Sequence, residues 1–538
     1  MELNGVYIWL DGEFYNQREL ARRTNGAVSD PEILLNLYKT HPDFSFLKNI
    51  DGIYSAIIYD KIQQSVHLIT DRYGLKHLYW CHRNNSLAWA SEVKAFLCLP
   101  WLTLTIDEQS LSDFFRVGYL LENETWFNEV KLLPSGTVLS YQIKSKNKKQ
   151  LRYWWWDNII PLQQDLDEGD LVEELGRLFN EAVANRCKKG ERVGLTLSGG
   201  LDSRAILAAM PEGTEPIHAI TFGKKGCEDI RIAAVAAEVK GAEHHVCHIN
   251  ESNWLAPRIE GVWWTDGQLN MLHMHGIEGL EGGKKYMDIT LNGFAGDVIL
   301  GGSFLKNRRC CDTVTKCYAG QVMKVTEECL HNFQEYKQLR KPDYYFLQNR
   351  IRRFVHCGSK AAETHVHNPK PFYDNKLIEF IYSLPDRLRL NSHLYTKMLV
   401  GVFPDYFSSI PWQATGYPIS RDPRRVAMLL GIRKIRRRVS YLLTKGSSDK
   451  LHGSSNYTDY YRWIRSEPAS SYFRQVLLSR DAIYGEYIPR ERVVADLDGH
   501  LRGSADHSDM LCRYLTFEIW LQQVFMERQK MWKGSKAT

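Results

Sequence analysis

The residues with the clearest chemical role follow a short apolar run near position 200. Ser198, Gly199, Gly200, Asp202 and Ser203 lie within six positions. The glycines lack the Cβ atoms that would shield backbone N–H groups, and the serine hydroxyls are further donors. Donors at the start of a helix bind anions, so this turn predicts a cradle for pyrophosphate. A carboxylate repels phosphate, and Asp202 is therefore predicted to act through Mg²⁺.

The elements on either side of this turn would hold it at the edge of a sheet. Residues 193–197 are an apolar strand, and residues 203–210 have helical periodicity. Further strands are predicted at 217–221 and 244–247, with a helix at 229–239 between them. Alternating strands and helices are typical of a parallel sheet, in which ligands bind at the carboxyl ends of the strands.

The turn and two later segments resemble one family. Residues 198–203 are similar to the pyrophosphate loop of the N-type ATP pyrophosphatases, whereas the Walker pattern GxxxxGK[ST] is absent. Residues 291–302 and 371–397 resemble two segments of the asparagine synthetases, in matching order and spacing. Enzymes of that class cleave ATP between the α- and β-phosphates and place AMP on an oxygen of the substrate.

The resemblance implies an AMP-forming carbon–nitrogen ligase with ATP and Mg²⁺ as cofactors. It implies Asp202 and Asp297 as metal ligands, with Asp229 as an acid close to the nucleotide. The implied nucleotide-binding residues come from the turn, the following strand and a second glycine-rich stretch: Leu197, Ser198, Gly199, Gly200, Asp202, Ser203, Thr221, Phe222, Gly223 and Gly293.

Two positions depart from the family where the acyl group would react. Asparagine synthetases have a glutamate, and β-lactam synthetases a tyrosine, at the position of Phe294, and the family has a lysine at that of Ala414. Loss of a charge at the reacting centre slows a reaction by orders of magnitude. Three explanations stay open: an engineered knock-out, a base and a cation supplied from elsewhere, or a nucleotide-binding scaffold without ligase activity. The candidate catalytic cation is Lys397, with Lys376, Arg204 and Arg421 as alternatives.

The first 150 residues resemble the glutaminase domain that precedes the synthetase domain in this family. That domain uses an amino-terminal cysteine as nucleophile, whereas Glu2 follows Met1 here and the first cysteine is Cys81. Asp11 takes the place of an asparagine that supports the oxyanion, and a carboxylate would repel that charge. We expect no glutaminase activity, as in the β-lactam synthetases, so that free ammonia or a substrate amine supplies the nitrogen. A start codon placed too late is the alternative explanation.

These patterns predict an α/β protein in two parts. Residues 1–150 would form a shortened, glutaminase-like α+β sandwich. Residues 170–538 would form an adenylating domain with a parallel sheet and a helical carboxyl-terminal extension. Residues 143–170 would be the junction, with a lysine-rich stretch followed by three tryptophans.

Composition restricts location and partners. A net charge of +6 over 538 residues is too small to indicate a nucleic-acid-binding protein. No apolar run approaches the roughly 20 residues that cross a bilayer, and no secretory signal pattern is present. The 11 cysteines lack paired spacing, which is typical of reduced thiols and predicts a cytoplasmic protein. A homodimer is left open. The cluster His244, His245, Cys247 and His248 could hold zinc, but it lacks a second ligand pair and also fits plain strand alternation.

The last pattern is a basic stretch at residues 424–438 with apolar positions at helical spacing. A solvated helix face, a docking surface for an anionic partner and a membrane-surface contact all fit it. Together with Phe294, Trp263 and Trp264, it favours a larger or anionic carboxylate substrate over aspartate. Examples are a peptide, a sugar acid of a glycan or a carrier-bound acid, and aspartate is the alternative.

Overall fold

The computed structural model describes residues 1–24, 26–163, 167–188, 190–214, 216–305, 336, 339, 342–443 and 457–535. An antiparallel part precedes a part built on a parallel sheet, as predicted. Among the described residues, no helix is both long enough and apolar enough to cross a membrane.

The amino-terminal part contains two antiparallel sheets. One has six strands in the order β1-β2-β3-β4-β8-β9, and the other has three in the order β6-β5-β7. Their bounds are β1 Glu2–Leu3, β2 Val6–Phe14, β3 Gly52–Asp60, β4 Ser65–Thr70, β5 Tyr79–Arg83, β6 Ser86–Ala90, β7 Lys131–Leu132, β8 Thr137–Gln142 and β9 Lys148–Arg152. The helices are α1 Gln17–Arg23, α2 Asp30–Thr40 and α3 Glu108–Val117.

The next part is a parallel sheet of four strands in the order β12-β11-β10-β13. The strands are β10 Val193–Thr196, β11 His218–Gly223, β12 Glu243–His248 and β13 Ile289–Leu291. Around them lie α4 Glu168–Ala184, α5 Leu201–Ala209, α6 Glu228–Lys240, α7 Ala256–Trp264, α8 Ile277–Gly283 and α9 Gly296–Ile299. Because β10 is an inner strand, its carboxyl end opens between two neighbours, where a ligand is expected.

The remaining described elements are helical. They are α10 Pro342–Phe346, a π-helix at Leu347–Val355, α11 His356–Glu363, α12 Asn375–Ser383, α13 Asp386–Arg389, α14 His393–Val402, α15 Pro404–Phe407, α16 Pro423–Leu443, α17 Tyr460–Trp463, α18 Ala469–Leu477, α19 Arg490–Leu501 and α20 Ser508–Ser535.

The two parts share a buried aromatic contact. Trp156 stacks on Tyr344 with ring centroids 4.7 Å apart, and Tyr73 packs against Tyr373 at 5.1 Å. One continuous hydrophobic core includes residues from both parts. The tryptophans at 154–156 are therefore buried where the two parts meet, at 1 to 9% exposure.

The lysine-rich stretch predicted as part of the junction is partly a strand. β9 pairs with β8 from Tyr141 opposite Lys148 to Thr137 opposite Arg152. All five β9 residues are exposed, because the strand lies at the edge of its sheet. Lysines are common on edge strands, where they discourage pairing with other chains. A polar composition therefore did not distinguish this strand from a linker.

The basic stretch is helical, as its periodicity predicted. The side chains of Arg424, Arg425 and Lys434 are exposed, and so are Met428 at 61% and Ile435 at 62%. Nothing in the structure tests an anionic partner, a homodimer or a cytoplasmic location, and these stay predictions.

Candidate functional site

The turn after β10 is held together by its own serines. The N–H of Ser198 donates to Oγ of Ser203 at 3.1 Å, and the two hydroxyl oxygens lie 3.1 Å apart. The N–H of Gly200 donates to Oγ of Ser198 at 3.2 Å. α5 begins at Leu201 with Gly200 as its N-cap. The positive end of the helix thus lies directly behind both hydroxyls.

One loop N–H that was predicted to face a phosphate is already bound. Gly199 donates to Oδ1 of Asp229 at 2.9 Å, and the side-chain amide of Gln413 donates to the other oxygen at 2.7 Å. Burial raises the pKa of Asp229, and the bond from Gly199 lowers it. A Cβ on Gly199 would lie 2.9 Å from Cβ of Gln413. Glycine is required here by the close approach of Gln413, and the outward-facing N–H predicted at position 199 is wrong.

The two predicted metal ligands lie side by side. The N–H of Asp297 donates to Oδ2 of Asp202 at 3.0 Å, and the hydroxyl of Tyr395 donates to Oδ1 at 2.9 Å. Ser303 donates to Oδ2 of Asp297 at 3.0 Å. A Cβ on Gly296 would lie 2.7 Å from Cγ of Asp202, so glycine lets the two segments meet.

The pKa values of both carboxyl groups in this pair are raised. Burial, and secondarily the charge of Asp297, raise the pKa of Asp202 to about 7. Burial also raises the pKa of Asp297, while the Ser303 hydroxyl and, more weakly, the Arg350 charge lower it. Two neighbouring carboxylates from separate segments form an oxygen donor set that suits Mg²⁺. Asp202 and Asp297 are the residues that could hold the ion.

Of the three residues predicted on the nucleotide-binding strand, one has a structural role and two lie at the sheet edge. Thr221 is buried, and its hydroxyl contacts the carbonyl of Leu197 and Nε2 of His244, both at 2.8 Å. It joins the strands and is not exposed to a ligand. Phe222 and Gly223 lie at the sheet edge beside Tyr457, whose Cβ would be 3.2 Å from a Cβ on Gly223.

Gly293 contacts the turn directly. A Cβ there would lie 2.8 Å from Cβ of Asp202 and 2.9 Å from the backbone nitrogen of Ser203. The second glycine-rich stretch therefore lies against the first, as the family resemblance implied.

The side chain of Phe294 is buried, and its neighbours include a phenol, an imidazole and a buried ammonium group. Its ring lies 5.5 Å from Tyr373 and 5.9 Å from His356, and Nζ of Lys370 is 5.7 Å from its centroid. Lys370 donates to the carbonyl of Asn368 and lies 3.5 Å from the carboxylate of Glu363. Burial lowers the pKa of Lys370 to about 8, while Glu363 raises it.

The cations predicted from the sequence lie elsewhere. Lys397 is 52% exposed and pairs with Glu168 at 2.8 Å. It lies two positions after Tyr395 on α14, so the two side chains point to nearly opposite sides of the helix. Lys376 and Arg421 are exposed. The structure brings none of these three to the aspartate pair.

Arg204 and Ala414 have structural positions beside the serine turn at residues 198–203. Arg204 is buried and donates to the carbonyls of Ile410 and Pro411, both at 3.2 Å. These bonds hold the start of a turn in which Trp412 donates to the carbonyl of Tyr417 at 2.9 Å. Ala414 lies in that turn, next to the Gln413 that contacts Asp229.

A cavity of about 640 Å³ opens near this site. Lys224, which follows β11, lines it together with His273, Arg350, Asp509 and Arg513. Arg350 in its wall also lowers the pKa of Asp297 through its charge, whereas none of the lining residues comes from the serine turn or from residues 293–297.

Lys370, Arg350 and Tyr395 were missed from the sequence. Tyr395 and Arg350 have no local pattern that marks them. Lys370 directly precedes Pro371, the first residue of a segment that resembles the family, and this position was the one available signal.

The glutaminase-like part places a charged network near Asp11. Nζ of Lys76 lies 3.2 Å from Asp11 and 3.5 Å from Glu363. Although burial opposes it, the charges of Lys370 and Lys76 lower the pKa of Glu363 to about 2. Cys81 is buried on β5, and burial raises the pKa of its thiol to about 11. That thiol is therefore a poor nucleophile.

Comparisons with known proteins agree with both parts. The family model described as a glutamine amidotransferase domain matches residues 1–155, and that described as asparagine synthase matches residues 174–311. Asparagine synthetase [glutamine-hydrolyzing] 2 of Bacillus subtilis is 24% identical over 442 residues, which cover 72% of this chain and 58% of the relative. A putative asparagine synthetase of Methanocaldococcus jannaschii is 24% identical, over 55% of this chain and 59% of the relative.

The matched region thus spans somewhat under two thirds of these two relatives. Among solved structures, a glutamine phosphoribosylpyrophosphate amidotransferase of B. subtilis covers 46% of this chain and 46% of its own, with 14% identity and a TM-score of 0.21, too low to carry an argument. The two matched domains, their order and the curated relatives support membership of the asparagine synthetase family.

Proposed function

We propose that this protein is an AMP-forming ligase that activates a carboxylate with ATP and transfers the acyl group to an amine. The likeness to asparagine synthetases supports an ATP-dependent amide ligase in general. The observation that carries the finer proposal is the pairing of Asp202 with Asp297 beside the serine turn. This pair lies at the carboxyl end of an inner parallel strand and at a helix N-terminus, which favours a bound pyrophosphate.

In this scheme a carboxylate oxygen of the substrate attacks the α-phosphorus of ATP, and pyrophosphate leaves. Ser198 and Ser203 orient the β- and γ-phosphates through their hydroxyls, and the start of α5 favours their negative charge. Mg²⁺ held by Asp202 and Asp297 would neutralise charge on the departing pyrophosphate. Tyr395 and Ser303 keep the two carboxylates oriented through hydrogen bonds.

We place the missing positive charge on Lys370. Its ammonium group lies beside Phe294, which occupies the family's base position, and it enters from a different segment than Ala414. A buried cation stabilises the negative charge on the reacting carboxylate and phosphate oxygens as the acyl-adenylate forms, and that on the acyl oxygen in the next step, more strongly than an exposed one, because water does not screen it. This is the relocated-cation explanation for the two substitutions. Lys397 is not favoured, since Glu168 pairs with it at the surface.

In the second step an amine attacks the acyl carbon, AMP leaves and the amine loses a proton. We propose free ammonia or an amine of the substrate as the nucleophile. The buried thiol of Cys81 and the carboxylate of Asp11, paired with Lys76, support this source over glutamine.

The cavity of about 640 Å³ supports a substrate larger than aspartate. Its volume lies within the roughly 300–1,000 Å³ that binds drug-sized ligands. Four cationic side chains and four carboxylates line it, so its volume rather than its charge supports the proposal of a peptide, a sugar acid or a carrier-bound acid. Titration of aspartate in the presence of a non-hydrolysable ATP analogue tests this. Saturable binding together with ammonia-dependent formation of asparagine would overturn the large-substrate proposal.

ATP–pyrophosphate exchange with a panel of carboxylic acids tests the activity itself. We expect labelled pyrophosphate to enter ATP only when a suitable acid and Mg²⁺ are present. Binding of ATP without exchange across the panel would favour the alternative, a nucleotide-binding scaffold that has lost ligase activity.

A further inference from the structure

Three side chains with metal-binding atoms meet at the amino-terminal edge of the parallel sheet, at the end opposite the serine turn. His218 is the first residue of β11, and Glu243 and His245 lie at the start of β12. The strands are parallel, with His218 opposite Glu243 and Ile220 opposite His245. Because side chains alternate along a strand, Glu243 and His245 share a face, and His218 lies on that same face.

The distances between the three ligand atoms are those of one coordination shell. Nδ1 of His218 lies 3.1 Å from Nε2 of His245 and 3.4 Å from Oε2 of Glu243. Nε2 of His245 lies 4.0 Å from that oxygen. With metal–ligand bonds of about 2.0–2.2 Å, two ligands of a tetrahedral zinc ion are about 3.4 Å apart. Rotation of the exposed Glu243 side chain can shorten the 4.0 Å edge towards this value.

The surroundings fix the two rings and leave one side open. His245 stacks on Tyr286 with ring centroids 3.8 Å apart, and His218 lies 5.4 Å from the same ring. The side chains of His218 and His245 are 12% and 25% exposed, whereas Glu243 is 62% exposed. An ion here would therefore have two preoriented imidazole ligands, an adjustable carboxylate and a fourth position open to water.

The pattern singled out in the sequence contributes a single member of this set. His244 points to the other face of β12, where its Nε2 contacts the hydroxyl of Thr221 at 2.8 Å. Cys247 packs against α8, with its Cβ 3.1 Å from where a Cβ on Gly279 would lie. His218 and Glu243 complete the cluster, and only the pairing of two strands distant in sequence brings them to His245.

We propose that His218, Glu243 and His245 form a zinc-binding site that joins β11 to β12. Two imidazoles and a carboxylate are a ligand set that proteins use for Zn²⁺. β11 continues from this site to Phe222 and Gly223 at the nucleotide edge. A bound ion would therefore fix the strand that ends beside the proposed nucleotide.

The test is zinc content and affinity of the full-length chain, measured without any activity. The protein is stripped with chelator, dialysed against Zn²⁺, and its metal is counted by mass spectrometry. We expect His218→Ala and His245→Ala to bind one equivalent less than the unchanged protein. His244→Ala, on the same strand but the opposite face, is the matched control and keeps that equivalent.

The visible absorption spectrum of bound Co²⁺ gives a second measurement, which distinguishes this site from thiolate ligands and from loss of folding. Co²⁺ in a four-coordinate nitrogen and oxygen site gives strong visible absorption without a thiolate charge-transfer band. We expect this spectrum in the unchanged protein and in His244→Ala, and its loss in Glu243→Gln, whose exposed side chain is not needed for folding. Equal zinc content and equal cobalt spectra in all variants would overturn the site and leave only a hydrogen bond between His218 and His245.

Discussion

Two loops face each other at the same edge of the parallel sheet and differ in which residues of the family pattern they keep. The turn at residues 198–203 has the hydroxyls, the helix start and the aspartate expected for pyrophosphate. The stretch at residues 293–297 keeps the close-packed glycines and Asp297, yet it has Phe294 where the resemblance implies a proton-transferring residue. Phosphate binding depends on local backbone and neighbouring side chains. The positive charge for acyl transfer can come from any segment that reaches the site, so the residue that supplies it can lie at a different position in the sequence.

The buried lysine beside Phe294 comes from such a separate segment. Lys370 precedes Pro371, and its partner Glu363 ends α11. Glu363 is also 3.5 Å from Lys76, which reaches Asp11 in the amino-terminal sheet. The proposed acyl-transfer side of the site is thus connected to the glutaminase-like part by alternating charges, and the serine turn at residues 198–203 contributes none of them.

The largest effect should come from breaking the aspartate pair. Asp202→Asn is expected to lower ATP–pyrophosphate exchange by about 10³-fold, because a metal ligand is worth several kcal/mol of charge stabilisation. The melting temperature should not fall, since the amide removes repulsion between two adjacent carboxylates. The exposed Asp422→Asn is the control. Exchange that survives in Asp202→Asn would place the metal elsewhere.

The next effect separates two lysines. Lys370→Met should lower exchange by about 10²-fold, because a buried charge beside the oxygens that react during adenylation is lost. Lys397→Met should stay within about twofold, since only a surface pair is lost. Equal losses in both variants, or no loss in Lys370→Met, would contradict the assignment of the cation.

The pH profile sharpens the same difference. Burial lowers the pKa of Lys370 to about 8, so raising the pH through that value removes its proton and its charge. Exchange should therefore decline as the pH rises through about 8. Exchange does not involve the amine, so the titration of ammonia does not affect this profile. Lys370→Arg, which stays charged, should lose the decline, and a decline that persists there would assign it to another group.

The smallest effect tests the connection to the amino-terminal part. The charge of Lys76 lowers the pKa of Lys370. Lys76→Met should therefore move the alkaline decline in exchange to higher pH with little change at neutral pH. Glu2→Gln, an exposed change elsewhere in the same sheet, should leave the midpoint where it is. An unmoved midpoint in Lys76→Met would mean that the charged chain does not reach the site.

The sequence predicted what local pattern determines. The alternation of strand and helix from residue 193 onward, and the antiparallel sheet before it, follow from periodicity over short windows. The contact between Asp202 and Asp297 was anticipated because both lie in stretches that resemble a family. The position of β9 was not, since an edge strand with exposed lysines has the composition of a linker.

The features that the sequence could not predict depend on the direction in which side chains point and on the register in which strands pair. Lys397 was a reasonable candidate by position, but helical geometry turns it away from Tyr395 and towards Glu168. Lys370 lies beside Phe294 only because the segment before Pro371 packs against that ring in the folded chain. His218 and His245 meet because two strands pair in one particular register, and neither strand alone specifies that register.

Transfer of ¹⁸O from a labelled carboxylate tests the central claim most directly. The full-length protein is incubated with ATP, Mg²⁺, ammonia and the acid that supports the strongest exchange, labelled in both carboxyl oxygens. An acyl-adenylate formed at the Asp202–Asp297 pair predicts AMP that carries one ¹⁸O atom, detected by mass spectrometry. The label should be lost together with activity in Asp202→Asn. Formation of ADP and phosphate, or of AMP without label, would contradict the account.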